Sequence, residues 1–234
     1  MKNTITCKNC GAENPYYEKI CNNCSSYLRD KIFNIDFWNI AYYLIETPQK
    51  AFTAIIHSEH KNMIIPIIIF AILRILFDTI FTSVYVVNNI NPFRNFFANY
   101  FIELVVFGIL WYLFALLLKS FDGLLKLKTR IKDYFAVIVY SQIGLLISLF
   151  IVLVIEIIVF GNNLFAIDPS PFFLKEFLAF TLLGFEIAFR LWMVFLFAYG
   201  LYVQTRNIIF SMIVSIIFFF INYLIIFNLS SILY

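Results

Sequence analysis

Between residues 63 and 229 the chain is a succession of long apolar runs separated by short polar gaps. An α-helix of about 20 apolar residues crosses the roughly 30 Å hydrocarbon core of a bilayer, because it satisfies its own backbone hydrogen bonds there. Five runs meet that length, at 63–87, 100–118, 134–160, 177–203 and 208–229. The first would reach about 37 Å as a helix, enough to cross with some tilt. The gaps at 88–99, 119–133, 161–176 and 204–207 are polar or rich in Pro, Gly and Asn. The last has only four residues, so the fourth and fifth runs must form a tight antiparallel pair. The chain of 234 residues is 62% hydrophobic and 13% charged. Soluble domains are about 45–50% apolar and about 25% charged. No water-soluble fold of this size hides so much apolar surface, so lipid is the solvent for most of it. The expectation is an all-α membrane protein with a five-helix transmembrane bundle over residues 62–234.

Orientation follows from the cations. The gap 119–133 carries Lys119, Lys126, Lys128, Arg130 and Lys132 against Asp122 and Asp133. The segment up to Lys61 carries seven Lys and Arg, including Lys2 and Lys31. With five spans and the N-terminus inside, thirteen cations lie inside and two outside. The positive-inside rule therefore predicts a cytoplasmic N-terminus and an outside C-terminus. Phe121, Leu124, Leu125, Leu127 and Ile131 are interleaved with the cations of the second gap. That pattern predicts a short basic amphipathic helix on anionic lipid, with a solvated connector as the alternative. The polar, cysteine-rich start is unlike a signal peptide, so the first span is expected to remain as an anchor.

All four cysteines fall within the first 24 residues, as Cys7-x2-Cys10 and Cys21-x2-Cys24. Each C-x2-C pair curls so that two thiolates converge on one ion, and two pairs complete a tetrahedral shell that suits structural Zn(II). Gly11 sits where the first knuckle needs a positive φ, and Asn14-Pro15 reads as a turn. Residues 1–30 hold few large apolar side chains, so metal binding would supply their folding free energy, about 10–16 kcal/mol in zinc-finger peptides. Two disulfides are the alternative in an oxidising compartment. A cytosolic N-terminus keeps the thiols reduced, in agreement with the charge count. The net charge of residues 1–31 is about +2, too small for a phosphate-binding patch, so no nucleic acid is expected. The segment 5–28 resembles the short zinc ribbons at the N-termini of many prokaryotic membrane proteins, which implies a prokaryotic cell membrane.

Residues 31–61 are expected to form amphipathic helices in the membrane interface. Phe33, Phe37, Trp38, Tyr42, Leu44 and Ile45 supply the apolar and aromatic character, and Asp36 and Glu46 make the stretch too polar to span. Thr47-Pro48 reads as the cap and first position of a second helix, with Ala51, Phe52, Ile55 and Ile56 on one stripe. His57 and His60 would share a face of that helix, either as metal ligands or as a solvated helix end.

Few ionisable groups lie inside the spans. Arg74 and Asp78 are four apart in the first, and Glu186 and Arg190 four apart in the fourth, so each pair shares a helical face. A charge at mid-membrane costs roughly 2.5–3.5 kcal/mol on insertion scales, so these groups should face the bundle interior and can join in one intramembrane polar network. Such a network either fixes helix register or serves an ion path or polar ligand. Glu103 and Glu156 lie near span ends, within reach of the headgroups. Asn222 is placed to hold helices together through its amide. Glu186-x3-Arg190 matches part of the EExxxR motif of prenyl-endopeptidase-type membrane proteases, but Phe185 stands where the first Glu belongs and both histidines precede the first span. No other catalytic motif is present, so no enzyme is expected.

Pro48 with Phe52 before the first span, the charged gap after the second, and Tyr140-Ser141-Gln142-Ile143 opening the third form one pattern. It continues with an aromatic fourth span from Arg190-Leu191-Trp192 to Tyr199-Gly200-Leu201. The pattern resembles the Yip (Ypt-interacting protein) membrane family over residues 44–230, with Gly144 in place of that family's Pro. The resemblance implies five spans with N-in, C-out topology. The Asp-Leu-Tyr-Gly-Pro motif of the eukaryotic members is absent, so their Rab association does not carry over. The expected function is a membrane organiser or partner-binding scaffold, with the bilayer and a cytosolic or membrane protein as partners and a homo-oligomer left open. A small transporter or channel using the intramembrane pairs is the alternative.

Overall fold

The computed structural model describes residues 3–30, 32–89 and 91–234; Lys2 and Lys31 lie outside them. A two-stranded sheet, β1 (Thr4–Thr6) and β2 (Glu13–Pro15), opens the chain. Helices α1 (Phe37–Glu46), α2 (Pro48–His57), α3 (Ile64–Val87) and α4 (Phe96–Ser120) follow. Next come α5 (Asp122–Leu125), α6 (Ile131–Ser141), α7 (Ile143–Ile147) and α8 (Leu153–Phe160). The chain closes with α9 (Pro171–Leu174), α10 (Glu176–Thr205) and α11 (Ile208–Leu233). Among the described residues, five helical stretches are long and apolar enough to cross a membrane: α3, α4, the composite Ile131–Phe165, α10 and α11. The fold is an all-α bundle with a four-cysteine cluster at its N-terminal end. It divides into two compact units.

The first unit comprises Met1–Ile65, Ile109–Ser141 and Leu196–Val214. β1 and β2 pair antiparallel with Thr4 opposite Pro15, so Asn14-Pro15 ends a strand, and Pro15 opens the turn that follows, its carbonyl accepting from Glu18 N at 3.0 Å. Pro15 is tolerated at that last position of a two-stranded edge, where its missing N–H breaks no ladder. Asp36 caps α1, its carboxylate accepting from the N–H groups of Trp38 and Asn39 at 3.1 and 3.5 Å. Thr47 precedes Pro48 as expected, yet its hydroxyl makes no cap bond. α2 packs against α1 and α6. Its stripe Ala51, Phe52, Ile55 and Ile56 is therefore buried in protein rather than laid on lipid. α1 keeps an exposed face of Trp38, Tyr42 and Ile45, spaced as one helical stripe and suited to the interface. The link between α10 and α11 is two residues long. Arg206 takes a left-handed φ of 55°, and the Asn207 side chain caps α11 by accepting from Phe210 N at 3.2 Å.

The second unit comprises Pro66–Gly108, Gln142–Phe195 and Ser215–Tyr234. The third run is not one continuous α-helix. α6 ends at Ser141, α7 runs from Ile143, a π-helical turn occupies Ser148–Val152, and a 3₁₀ turn closes it at Gly161–Phe165. The first break falls at Gln142, and Gly144, just inside α7, lets α10 come close: a Cβ on it would lie 2.8 Å from the Phe189 carbonyl oxygen. Leu149, Val152, Leu153, Phe160 and Leu164 form the core of this unit with Ala179 and Leu182 of α10. Phe97, Phe101 and Val105 of α4 face outward, as side chains with lipid for solvent can. α4 begins at Phe96, four residues before the predicted run, and the Asn99 amide donates back to the Arg94 carbonyl at 3.3 Å.

Candidate functional site

The cysteines are held by two turns with the same backbone. Gly11 N donates to Cys7 O and Ser25 N to Cys21 O, both at 3.0 Å. Cys7 N donates to Ala12 O and Cys21 N to Ser26 O, both at 2.9 Å. Gly11 has φ of 71° and Ser25 of 57°, so each knuckle ends in a left-handed residue. Only the first of these is legible from the residue type, because serine enters that region at a cost of roughly 1–2 kcal/mol. The four Sγ atoms lie within 4.8 Å of one another, with Cys7–Cys24 and Cys10–Cys21 each at 3.6 Å. Four ligands about 2.3 Å from a tetrahedral ion stand about 3.8 Å apart, so the set fits one metal. It does not fit disulfides, whose sulfurs lie about 2.05 Å apart.

Polar groups favour the thiolate form of Cys7 and Cys24, whereas Cys10, against the pull of the Ala12 backbone, is pushed up to about 11 by the Cys24 and Cys21 sulfurs and by burial. The Ser26 hydroxyl lies 3.1 Å from Cys7 Sγ and 3.0 Å from Cys24 Sγ. Its bond, followed by that of the Ser26 N–H, brings Cys24 down to about 6. Asn14, buried between the knuckles, donates to Cys21 Sγ at 3.5 Å and accepts from Asn22 N at 2.9 Å. The cluster can therefore hold a metal ion in a closed shell of sulfur.

The C-terminus of α2 ties this ribbon to the helices of the first unit. Free carbonyls gather there at the negative end of the helix dipole. Arg29, from the ribbon, donates to His57 O at 3.1 Å and to Tyr17 O at 2.7 Å. Arg130, from the loop 119–133, donates to Ile56 O at 3.1 Å and stacks 4.5 Å over the Tyr17 ring. Lys61 donates to the carbonyls of Ile55, Ile56 and Ser58 and pairs with Asp133 at 3.2 Å. Burial pulls the Lys61 ammonium down to about 8 against the opposing pull of Asp133. His57 Nε2 donates to Tyr16 O at 3.1 Å, and burial, with Arg29 second, pushes the ring down to about 4. α2 ends at His57, so His60 does not share its helical face, and of the two readings offered for the pair the shared metal site is not supported.

The basic loop is folded, not helical. α5 covers only four residues, and Lys126 turns left-handed after it. Asp122 organises the loop, accepting from Thr129 N at 3.1 Å, the Thr129 hydroxyl at 2.8 Å and the Tyr134 hydroxyl at 2.9 Å. Lys119 pairs with Asp122 at 2.6 Å and Arg130 with Asp133 at 2.7 Å. The short helix ends because these bonds fix Thr129 beside Asp122. Lys126, Lys128 and Lys132 remain exposed.

In the second unit the intramembrane groups close into a ring. Arg74 bonds Asp78 at 2.7 Å and Glu186 at 2.5 Å; Arg190 bonds Asp78 at 2.5 Å and Glu186 at 3.0 Å. Ser148, absent from the sequence reading, joins it by accepting from Arg74 Nε and donating to Glu186 Oε1, both at 2.7 Å. Ser148 lies in the π-helical turn. Eight residues of unbroken α-helix would turn Ser148 and Glu156 about 80° apart, whereas a π-turn takes one residue out of step and brings them to within about 20°. Glu156 therefore faces the ring instead of the headgroups and is only 7% exposed. Glu103 is fully buried as well, beside Thr79. A cavity of about 580 Å³ lies against the ring, lined by Arg74, Asp78, Glu156, Glu186 and Arg190 and walled by Phe81, Phe160, Phe172, Phe219 and Tyr223. Asn222 donates to Phe218 O of its own helix at 2.7 Å.

Fold and site together define an all-α, multi-pass membrane protein with an N-terminal four-cysteine centre. No protein-family model, curated protein or solved structure matches the chain.

Removing one partner of a buried ion pair strands the other, at a cost of about 3–5 kcal/mol. Arg74→Met and Glu186→Met are each expected to lower stability by about that amount in detergent unfolding, and the double variant by clearly less than the sum. Additive losses would mean that the ring is not a coupled unit. For His57, the unfolded chain takes up a proton below about 6.5 whereas the folded ring resists until about 4. Its contribution to stability is full above that window and is lost as pH falls through it. Acidification from about pH 7.5 to about pH 5 should therefore lower the melting temperature of the native chain more than that of His57→Gln. Equal shifts would contradict the buried neutral ring.

Proposed function

We propose that this is a non-enzymatic integral membrane protein of a prokaryotic cell membrane, resembling the Yip family. In this reading it acts as a membrane organiser or partner-binding scaffold through a cytosolic face built on a structural Zn(II) ribbon. The observation that carries it is the convergence of Arg29, Lys61 and Arg130 on the last carbonyls of α2. Those three contacts make ribbon, linker and basic loop one continuous surface, with Lys126, Lys128 and Lys132 exposed on it. Four thiolates with no open coordination position suit a structural Zn(II) rather than a catalytic one. The cation count along the sequence supports a cytoplasmic N-terminus and an outside C-terminus. Of the two histidines, His57 is committed to the Tyr16 carbonyl, which fits a scaffold better than acid–base chemistry.

A second reading, a small transporter, is favoured by the cavity beside the charged ring. The two separate cleanly by experiment. A photo-crosslinking residue placed at Lys128, and in a second variant at Asn23, should capture the same protein partner in native membranes. Replacing Cys10 and Cys24 by Ser should abolish capture at both positions. Capture that survives loss of the cysteines would contradict a metal-organised face. Gradient-driven flux in proteoliposomes, abolished by Asp78→Asn, would replace the scaffold by the transporter.

A further inference from the structure

The cavity of the second unit has an unbalanced wall. Its ionisable side chains outside the tyrosines are two guanidinium groups, Arg74 and Arg190, and three carboxylates, Asp78, Glu156 and Glu186. The ring uses both guanidinium groups on Asp78 and Glu186. Glu156 is left over: its Oε2 is buried with no hydrogen-bond partner among the described residues. A carboxylate oxygen buried without a partner costs the full desolvation penalty of that group, and a hydrogen-bonding or cationic ligand would offset it. The remaining wall is aromatic and aliphatic, including Phe160 and Phe219. Ring faces of that kind attract cations and apolar chains alike.

We propose that this cavity is a binding site for an amphiphilic organic cation. An ammonium head would pair with Glu156 against the aromatic wall, and a hydrocarbon chain would lie along the apolar lining. The charges decide against an anionic head, because both guanidinium groups are already bonded to carboxylates. A small hydrated ion is disfavoured by the apolar wall, which offers few oxygens to replace its water. A volume of about 580 Å³ falls within the usual range of small-molecule sites, about 300–1,000 Å³. The site is independent of the ribbon, so failure of this binding would leave the metal-organised face untouched.

The test uses the full chain in lipid nanodiscs and radiolabelled dodecyltrimethylammonium, with empty nanodiscs subtracted. Saturable binding to one site is expected, with unlabelled dodecyl sulfate, of the same chain length, failing to compete. Glu156→Gln should weaken binding at least tenfold, while Glu156→Asp, which keeps the charge, should retain most of it. Three results would each overturn the proposal: no saturable binding above empty nanodiscs, competition by dodecyl sulfate equal to that of the unlabelled cation, or unchanged affinity in a folded Glu156→Gln. The competition arm needs no variant, so a misfolded substitution cannot mask the answer.

Discussion

The hydrocarbon core of a bilayer contains no water to satisfy a stray donor or acceptor, and the structure follows from that constraint. Hydroxyl and amide side chains in the spans turn back onto their own helices: Thr79 to Ile75 O, Ser83 to Ile80 O, Ser141 to Ile138 O and Asn228 to Leu224 O. The four charges that cannot turn back neutralise one another in the ring, with Ser148 as the fifth member. The π-helical turn that presents Ser148 and Glu156 is an irregularity of the kind tolerated where it serves buried polar groups. Glu103 and Glu156 stand apart from this accounting, since both retain buried carboxylate oxygens without partners among the described residues.

In the first unit the four-cysteine ribbon poses a different problem. A ribbon of about thirty residues cannot bury enough apolar surface to hold itself, and its four clustered cysteines could hold a metal ion that would do what a core does elsewhere. Its attachment is electrostatic. Three cations from three segments share the C-terminal carbonyls of one ten-residue helix. Asp133 links two of them, pairing with both Lys61 and Arg130. The basic loop is thereby part of the same construction as the ribbon rather than a tether that only sets topology.

Much of this was legible in the residues, for physical reasons. Apolar run length exposed the five spans because lipid imposes a minimum helix length, and cysteine spacing exposed the four-cysteine cluster because two ligands on one turn must be three residues apart. Arg74, Asp78, Glu186 and Arg190 stood out because charge is costly in lipid. Ser148 did not, and Glu156 was assigned to the headgroups, because a π-turn changes which residues share a face without leaving a mark in composition. The basic loop misled for a related reason: its apolar spacing suits a helix, but Asp122 satisfies three donors at once and folds the backbone into a compact loop instead. Lys61 and Arg29 entered the sequence reading only as members of the N-terminal cation count. Their role depends on where α2 ends, which alternation and propensity fix only to within a few residues.

The account rests most heavily on the four thiolates acting as one structural metal site, since the ribbon, its contacts with α2 and the exposed face beside them all depend on it. Metal analysis of the full chain, purified from membranes without added zinc and followed by thiol counting after chelation, tests this directly. About one equivalent of zinc per chain, with four reactive thiols released, is the expected result. Less than about half an equivalent, with the cysteines recovered as disulfides, would contradict it.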